Sequence, residues 1–238
     1  MKLDILAFGA HPDDVEISCA GTILKHVEMG YKVGIIDLTG GELGTRGNKE
    51  LRLQEASKAA ELLGVTIREN LHMRDGFFRN DEEHQLKIIQ KIRQYQPEII
   101  LANAPTDRHN DHGRAAQLVK EAAFLSGLIK VETEYNGQKQ KAWRPRSVYH
   151  YIQDYYLEPS FVVDISNYFE KKMEVLKCYA SQFYNPNSNE PETSISRKDF
   201  FDVIESKARL WGRYISAEFA EGYIANRLVG VKDIFDLL

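Results

Sequence analysis

The chain has 238 residues, 43% of them hydrophobic and 28% charged, with a formal net charge of −4. That length suits one α/β domain, and the apolar fraction supplies a full core. A mildly acidic chain has no electrostatic reason to seek nucleic acid or an anionic membrane, and no apolar run approaches the roughly 18 residues that span a bilayer.

In chain order, residues 3–9 form a short apolar run with no basic leader or cleavage site, so they read as a buried strand and not a signal peptide. Residues 15–29 carry an apolar stripe of helical period, with Gly30 placed to end the helix. Residues 31–38 read as a second strand, and a polar glycine-rich loop follows. Residues 50–63 form an amphipathic helix closed by Gly64, and 66–72 a third strand. Asn80 or Asp81 can cap a helix that runs to Tyr95, ahead of Pro97. Residues 98–103 are a fourth strand, and a helix is expected over 112–125. Four strands alternating with helices imply a Rossmann-like, doubly wound and mostly parallel sheet, for which the order 3-2-1-4-5 is taken as the working case. The second half is less regular. Strands are expected at 147–153 and 161–165, a helix from Ser166 to Phe183, a mobile polar loop over 184–198, then a helix over 199–216 and a short tail. The whole chain reads as one domain, 1–238. Cys19 and Cys178 fit no metal spacing and build no disulfide framework, which points to a reducing cytoplasm.

Two polar clusters sit where strands end. Strand one runs into Gly9-Ala10-His11-Pro12-Asp13-Asp14, and strand four into Asp107-Arg108-His109-Asn110-Asp111-His112. In a doubly wound sheet, ligands bind at the carboxyl ends of strands where strand order reverses. In the order 3-2-1-4-5, strands one and four are neighbours at that place. His11, Asp14 and His112 are two imidazoles and a carboxylate, a zinc set with one open position for water. Asp13 stands beside them as a general base for that water. His109 can donate to an oxyanion, and Asp111 can hold the His109 ring.

The stretch AFGAHPDDVEISCAGTILK with the later HNDHG resembles the LmbE-like, or PIG-L, zinc-dependent N-acetylglucosamine deacetylases. LTGGELGTRGNKELRLQEASKAAELLG, NLHMRDG and EFAEGY also fit. Length and these stretches are most similar to the bacillithiol-pathway branch acting on N-acetylglucosaminyl-malate. The resemblance implies metal ligands at His11, Asp14 and His112, a base at Asp13 and an oxyanion histidine at His109. It also points to Arg52 as an active-site residue and implies a homo-oligomer, with a hexamer suggested. Asn110 stands where the family pattern has proline.

Arg52, early in the second helix, offers paired donors to a substrate carboxylate or to sugar hydroxyls; Arg108 and Arg46 are weaker candidates of the same kind. Glu42 can meet sugar hydroxyls or cap its loop. That loop is not GxGxxG and lacks a phosphate-binding lysine. The sequence therefore predicts a metal-dependent amidohydrolase for a small amino-sugar conjugate, using Zn2+ or, in a reducing cytoplasm, Fe2+. Two alternatives share the donor set: a non-haem iron oxygenase, and a non-catalytic metal-stabilised sugar-binding protein. An oxygenase needs no base beside its metal, and a binding protein needs neither base nor oxyanion donor.

Overall fold

A computed structural model describes residues 1–237. A seven-stranded sheet has the order β3-β2-β1-β4-β7-β9-β8. Its first five members, β3 (Ile67–Met73), β2 (Val33–Thr39), β1 (Ile5–Gly9), β4 (Ile99–Ala102) and β7 (Ser147–Tyr151), are mutually parallel. Strand β9 (Ala220–Ala225) runs antiparallel to both β7 and β8 (Phe161–Asp164). The expected order of the first five strands is the observed one.

Strand β1 is buried along its whole length, as a central parallel strand covered on both faces must be. Its alternation divides the core. Ile5 and Ala7 face one apolar cluster, built with α1 (Asp14–Glu28), α2 (Lys49–Leu63), α5 (Phe169–Leu176) and α6 (Phe200–Tyr214). Leu6 and Phe8 face another, built with α3 (Glu82–Tyr95) and α4 (Asn110–Leu125). Ile5, Leu6 and Phe8 each contribute about 1.5–3 kcal/mol by leaving water. Helix starts follow the expected chemistry at α3, where the Asp81 side chain accepts from the His84 amide. Gly64 closes α2 at a φ of 70°. Among the described residues no helix is long and apolar enough to cross a membrane.

The C-terminal part departs from expectation in three places. The helix expected over 166–183 is a short 3-10 turn at Ser166–Tyr168 followed by α5, which stops at Leu176. Tyr179 is drawn into the core there and its hydroxyl donates to Glu16 Oε1 at 2.8 Å. Ser166 caps nothing; its Oγ accepts from the amides of Glu218 (3.0 Å) and Phe219 (3.2 Å), fixing the entry to β9. Residues 220–225, expected in a tail, form that strand in the sheet. A hairpin of β5 (Glu134–Tyr135) and β6 (Gln138–Lys139) also forms, turned by Asn136 (φ 51°) and Gly137 (φ 74°).

Candidate active site

The chain leaves β1 at Gly9 and must turn at once into α1. The turn places Asp13 at a φ of 119°, a left-handed conformation that L side chains avoid. Asp14 folds back, and its Oδ2 accepts from the His11 amide at 2.9 Å. The same carboxylate accepts from Asn103 Nδ2 (3.0 Å) at the end of β4 and from Gln153 Nε2 (3.1 Å) after β7. Three strand ends thus orient one carboxylate.

Around it the expected histidines converge. His11 Nδ1 lies 3.5 Å from Asp14 Oδ2, and His112 Nε2 3.0 Å from Asp14 Oδ1. The opposite nitrogen of each ring is held by a second carboxylate. His11 Nε2 donates to Asp75 Oδ1 at 3.0 Å, and His112 Nδ1 to Asp107 Oδ2 at 2.5 Å. Such carboxylate–imidazole pairs fix the tautomer that offers the other nitrogen to a metal. The donor set His11, Asp14 and His112 therefore fits a divalent cation in chemistry and orientation. His109 brings a third imidazole, with donor atoms of the three rings within 4.8 Å of one another. Its Nδ1 accepts from the Asp111 amide at 3.2 Å, which leaves Nε2 to carry the proton. His109 is thus placed as a donor, with Asp14 the better third ligand. The structure corrects the means by which His109 is held: Asp111 does it through its backbone. Its carboxylate turns instead to Arg114 (2.6 Å), to the Gly76 amide (2.8 Å) and towards His11 (3.4 Å).

The charges agree with this arrangement. Burial opposes ionisation of Asp14, yet His112 and His11 hold its pKa well below the ordinary value. Burial likewise works against a proton on His112, but Asp14 and Asp107 outweigh it and bring the pKa up to about 9. Burial, reinforced by the charges of His11 and His112, lowers that of His109. Asp13 differs: burial pushes its carboxyl up to about 7, with Arg52 opposing and Asp14 adding to the rise.

The remaining candidates fall in different places. Arg52 is buried, 3.5 Å from Asp13 Oδ2, and donates to the Pro12 carbonyl (3.3 Å) and to Gln182 Oε1. Arg108 is half-exposed and bound to Asp154 at 2.5 Å. Arg46 is buried, 3.7 Å from Glu190. Glu42 takes the loop-capping role, accepting from the amides of Gly40 (3.2 Å) and Asp75 (2.9 Å). Asp75, Asp107, Asn103 and Gln153 were not singled out from the sequence. Only Asp107 carried a usable signal, five residues before His112 in the same polar cluster. A cavity of about 410 Å³ opens over His11, Asp13, Asp14, Arg52, His109 and His112.

Comparison with known proteins points the same way. The family PIG-L, described as GlcNAc-PI de-N-acetylase, matches residues 6–123. The diacetylchitobiose deacetylase of Thermococcus kodakarensis is 32% identical over 190 residues, 75% of this chain and 70% of that protein. The 4-oxalmesaconate hydratase of Pseudomonas putida is 28% identical, over 74% of this chain and 73% of that one. A probable N-acetyl-alpha-D-glucosaminyl L-malate deacetylase 2 of Bacillus anthracis is 26% identical, over 75% and 81%. The crystal structure of a conserved protein from Thermus thermophilus superposes with a TM-score of 0.87 at 31% identity, covering 98% of both chains. By this identity and coverage, and by the fold it shares, the chain is an enzyme of the PIG-L deacetylase family.

Proposed function

We propose that the protein hydrolyses the acetamide of an N-acetylglucosamine conjugate, with a divalent metal held by His11, Asp14 and His112. The observation that carries this reading is the ionisable Asp13, buried and 3.5 Å from Arg52, beside a donor set whose two imidazoles are each locked by a carboxylate. Zinc bound there, or ferrous iron in its place, would supply Lewis acidity towards the amide carbonyl and its attacking water. Asp13 takes the proton of that water as the new carbon–oxygen bond forms. His109 Nε2–H donates to the carbonyl oxygen as it gains charge. Asp13 then returns its proton to the amine nitrogen as the carbon–nitrogen bond breaks, leaving acetate and a free amino sugar. Arg52 keeps Asp13 ionised near neutrality and orients it.

The finer reading, an N-acetylglucosaminyl-malate conjugate of the bacillithiol pathway, draws on the likeness to the Bacillus anthracis relative. Cys19 and Cys178 are both free thiols, which suits a cytoplasmic reaction. The test is acetate release from N-acetylglucosamine glycosides with and without chelator. Release that the chelator abolishes is expected. No release from any such glycoside would sink the reading, and water addition to an unsaturated acid would then be the next reaction to assay, given the hydratase relative. Chelator-sensitive oxidation of a substrate would instead favour the oxygenase.

A further inference from the structure

The cavity extends well past the metal-binding end. From Asp14 it follows α1 by one turn to Ser18, a rise of about 6 Å. The wall facing this arm is α6. Phe200, Ile204, Lys207, Ala208 and Trp211 all line it; they stand at i, i+4, i+7, i+8 and i+11, one stripe of the helix. An amphipathic helix ordinarily seals such a stripe against the core, and here part of it borders open space. Two buried donors at this end have no partner, the Ser18 hydroxyl and the Trp211 indole N–H.

Apart from the histidines, four cations line the cavity, Arg52, Arg108, Lys172 and Lys207. Three are neutralised. Arg52 lies 3.5 Å from Asp13, Arg108 is bound to Asp154 at 2.5 Å, and Lys172 to Glu221 at 2.7 Å. Among the described residues Lys207 has no carboxylate partner; its ammonium donates only to the carbonyl oxygens of Gln153 and Asp154. Burial lowers its pKa, and the more distant charges of Asp154 and Asp107 oppose the fall without overcoming it.

We propose that Lys207 anchors a carboxylate on the aglycone of the substrate, while Phe200, Ile204 and Ala208 hold the hydrocarbon that carries it. This rests on the deacetylase reading and moves the anion contact from Arg52, which serves Asp13, to α6.

The test compares two N-acetylglucosamine glycosides, one with a 3-carboxypropyl aglycone and one with n-butyl. The quantity read is the ratio of kcat/KM values, anionic over neutral. Lys207→Met should lower this ratio at least about tenfold, the scale of a lost hydrogen bond to a charged group. Lys207→Arg, which keeps the charge, should retain most of it. A ratio unchanged in Lys207→Met would overturn the anchor, whatever happens to the absolute rates, because loss of the clamp on Gln153 and Asp154 would affect both glycosides alike. Calorimetric titration of the metal-free protein with the same glycosides separates this from failure of the deacetylase reading. The carboxylate glycoside should bind more tightly than the butyl one to wild type and lose that advantage in Lys207→Met, even if neither compound were to release acetate.

Discussion

Asp13 occupies a left-handed φ of 119° and a buried site that pushes its carboxyl up to about 7. A non-glycine residue in such a conformation costs about 1–3 kcal/mol and persists only where the surroundings impose it, commonly at functional sites. Asp13→Asn keeps the shape and loses the base; turnover should fall at least about 100-fold with metal content intact, as metal analysis beside kinetics would show. Arg52 opposes the rise in the Asp13 pKa. Removing that cation in Arg52→Ala therefore raises the pKa further. Since Asp13 must be ionised to accept a proton, the acid limb of kcat/KM should move to higher pH. An unmoved limb would mean that another group titrates there. The proposed metal ligands were legible because their clusters follow directly on apolar strand runs. Asp75 was not, because its role depends on a loop after β3 meeting His11, and nothing local to Met73-Arg74-Asp75-Gly76 announces that meeting.

At the scale of elements, α1 is broken inside its length. Cys19 has non-helical angles (φ −142°, ψ 18°), and the amides of Gly21 and Thr22 donate to Glu221 of β9 at 3.0 and 2.7 Å. Lys172 of α5 balances that carboxylate at 2.7 Å, and both side chains are buried. Glu221→Ala strands the Lys172 ammonium and should cost about 3–5 kcal/mol in denaturant unfolding. Adding Lys172→Met should recover part of the loss, since no lone charge then remains inside. The same contact explains why β9 escaped the sequence reading. Glu221 and Gly222 interrupt its apolar pattern, and the glutamate points inward to serve a helix rather than outward to water. Strands β1, β2 and β4 were readable because each is an apolar run followed by a helical period. The 134–139 hairpin carries its Asn-Gly turn openly, but strands of two residues show no period to detect.

For the whole molecule, the metal-free site makes stability depend on pH from both sides. Asp75 is held at about 2 against an ordinary 3.8; burial opposes this, and the His11 contacts prevail. A depressed carboxylate contributes stability above pH 3.8 that is lost as pH falls towards 2. His112 is raised from 6.5 to about 9, so its contribution is complete below pH 6.5 and lost as pH rises through 9. Asp13, raised from 3.8 to about 7, adds a loss of stability as pH rises between those values, so metal-free protein should melt highest near the acid end of the window from about pH 4 to 6.5, with a fall on each side. At neutral pH, metal at 100 times its Kd should add about 2.7 kcal/mol and raise Tm by about 5–10 °C. His112→Ala should show no such rise. The positions of these groups along the chain also set the order in which they are made. Every proposed metal ligand lies within the first 112 residues, whereas α6 and Glu221, which complete the cavity, begin at residue 200. Synthesis runs from the amino end. A growing chain therefore carries its full set of ligands long before it has the wall that would hold a substrate against them.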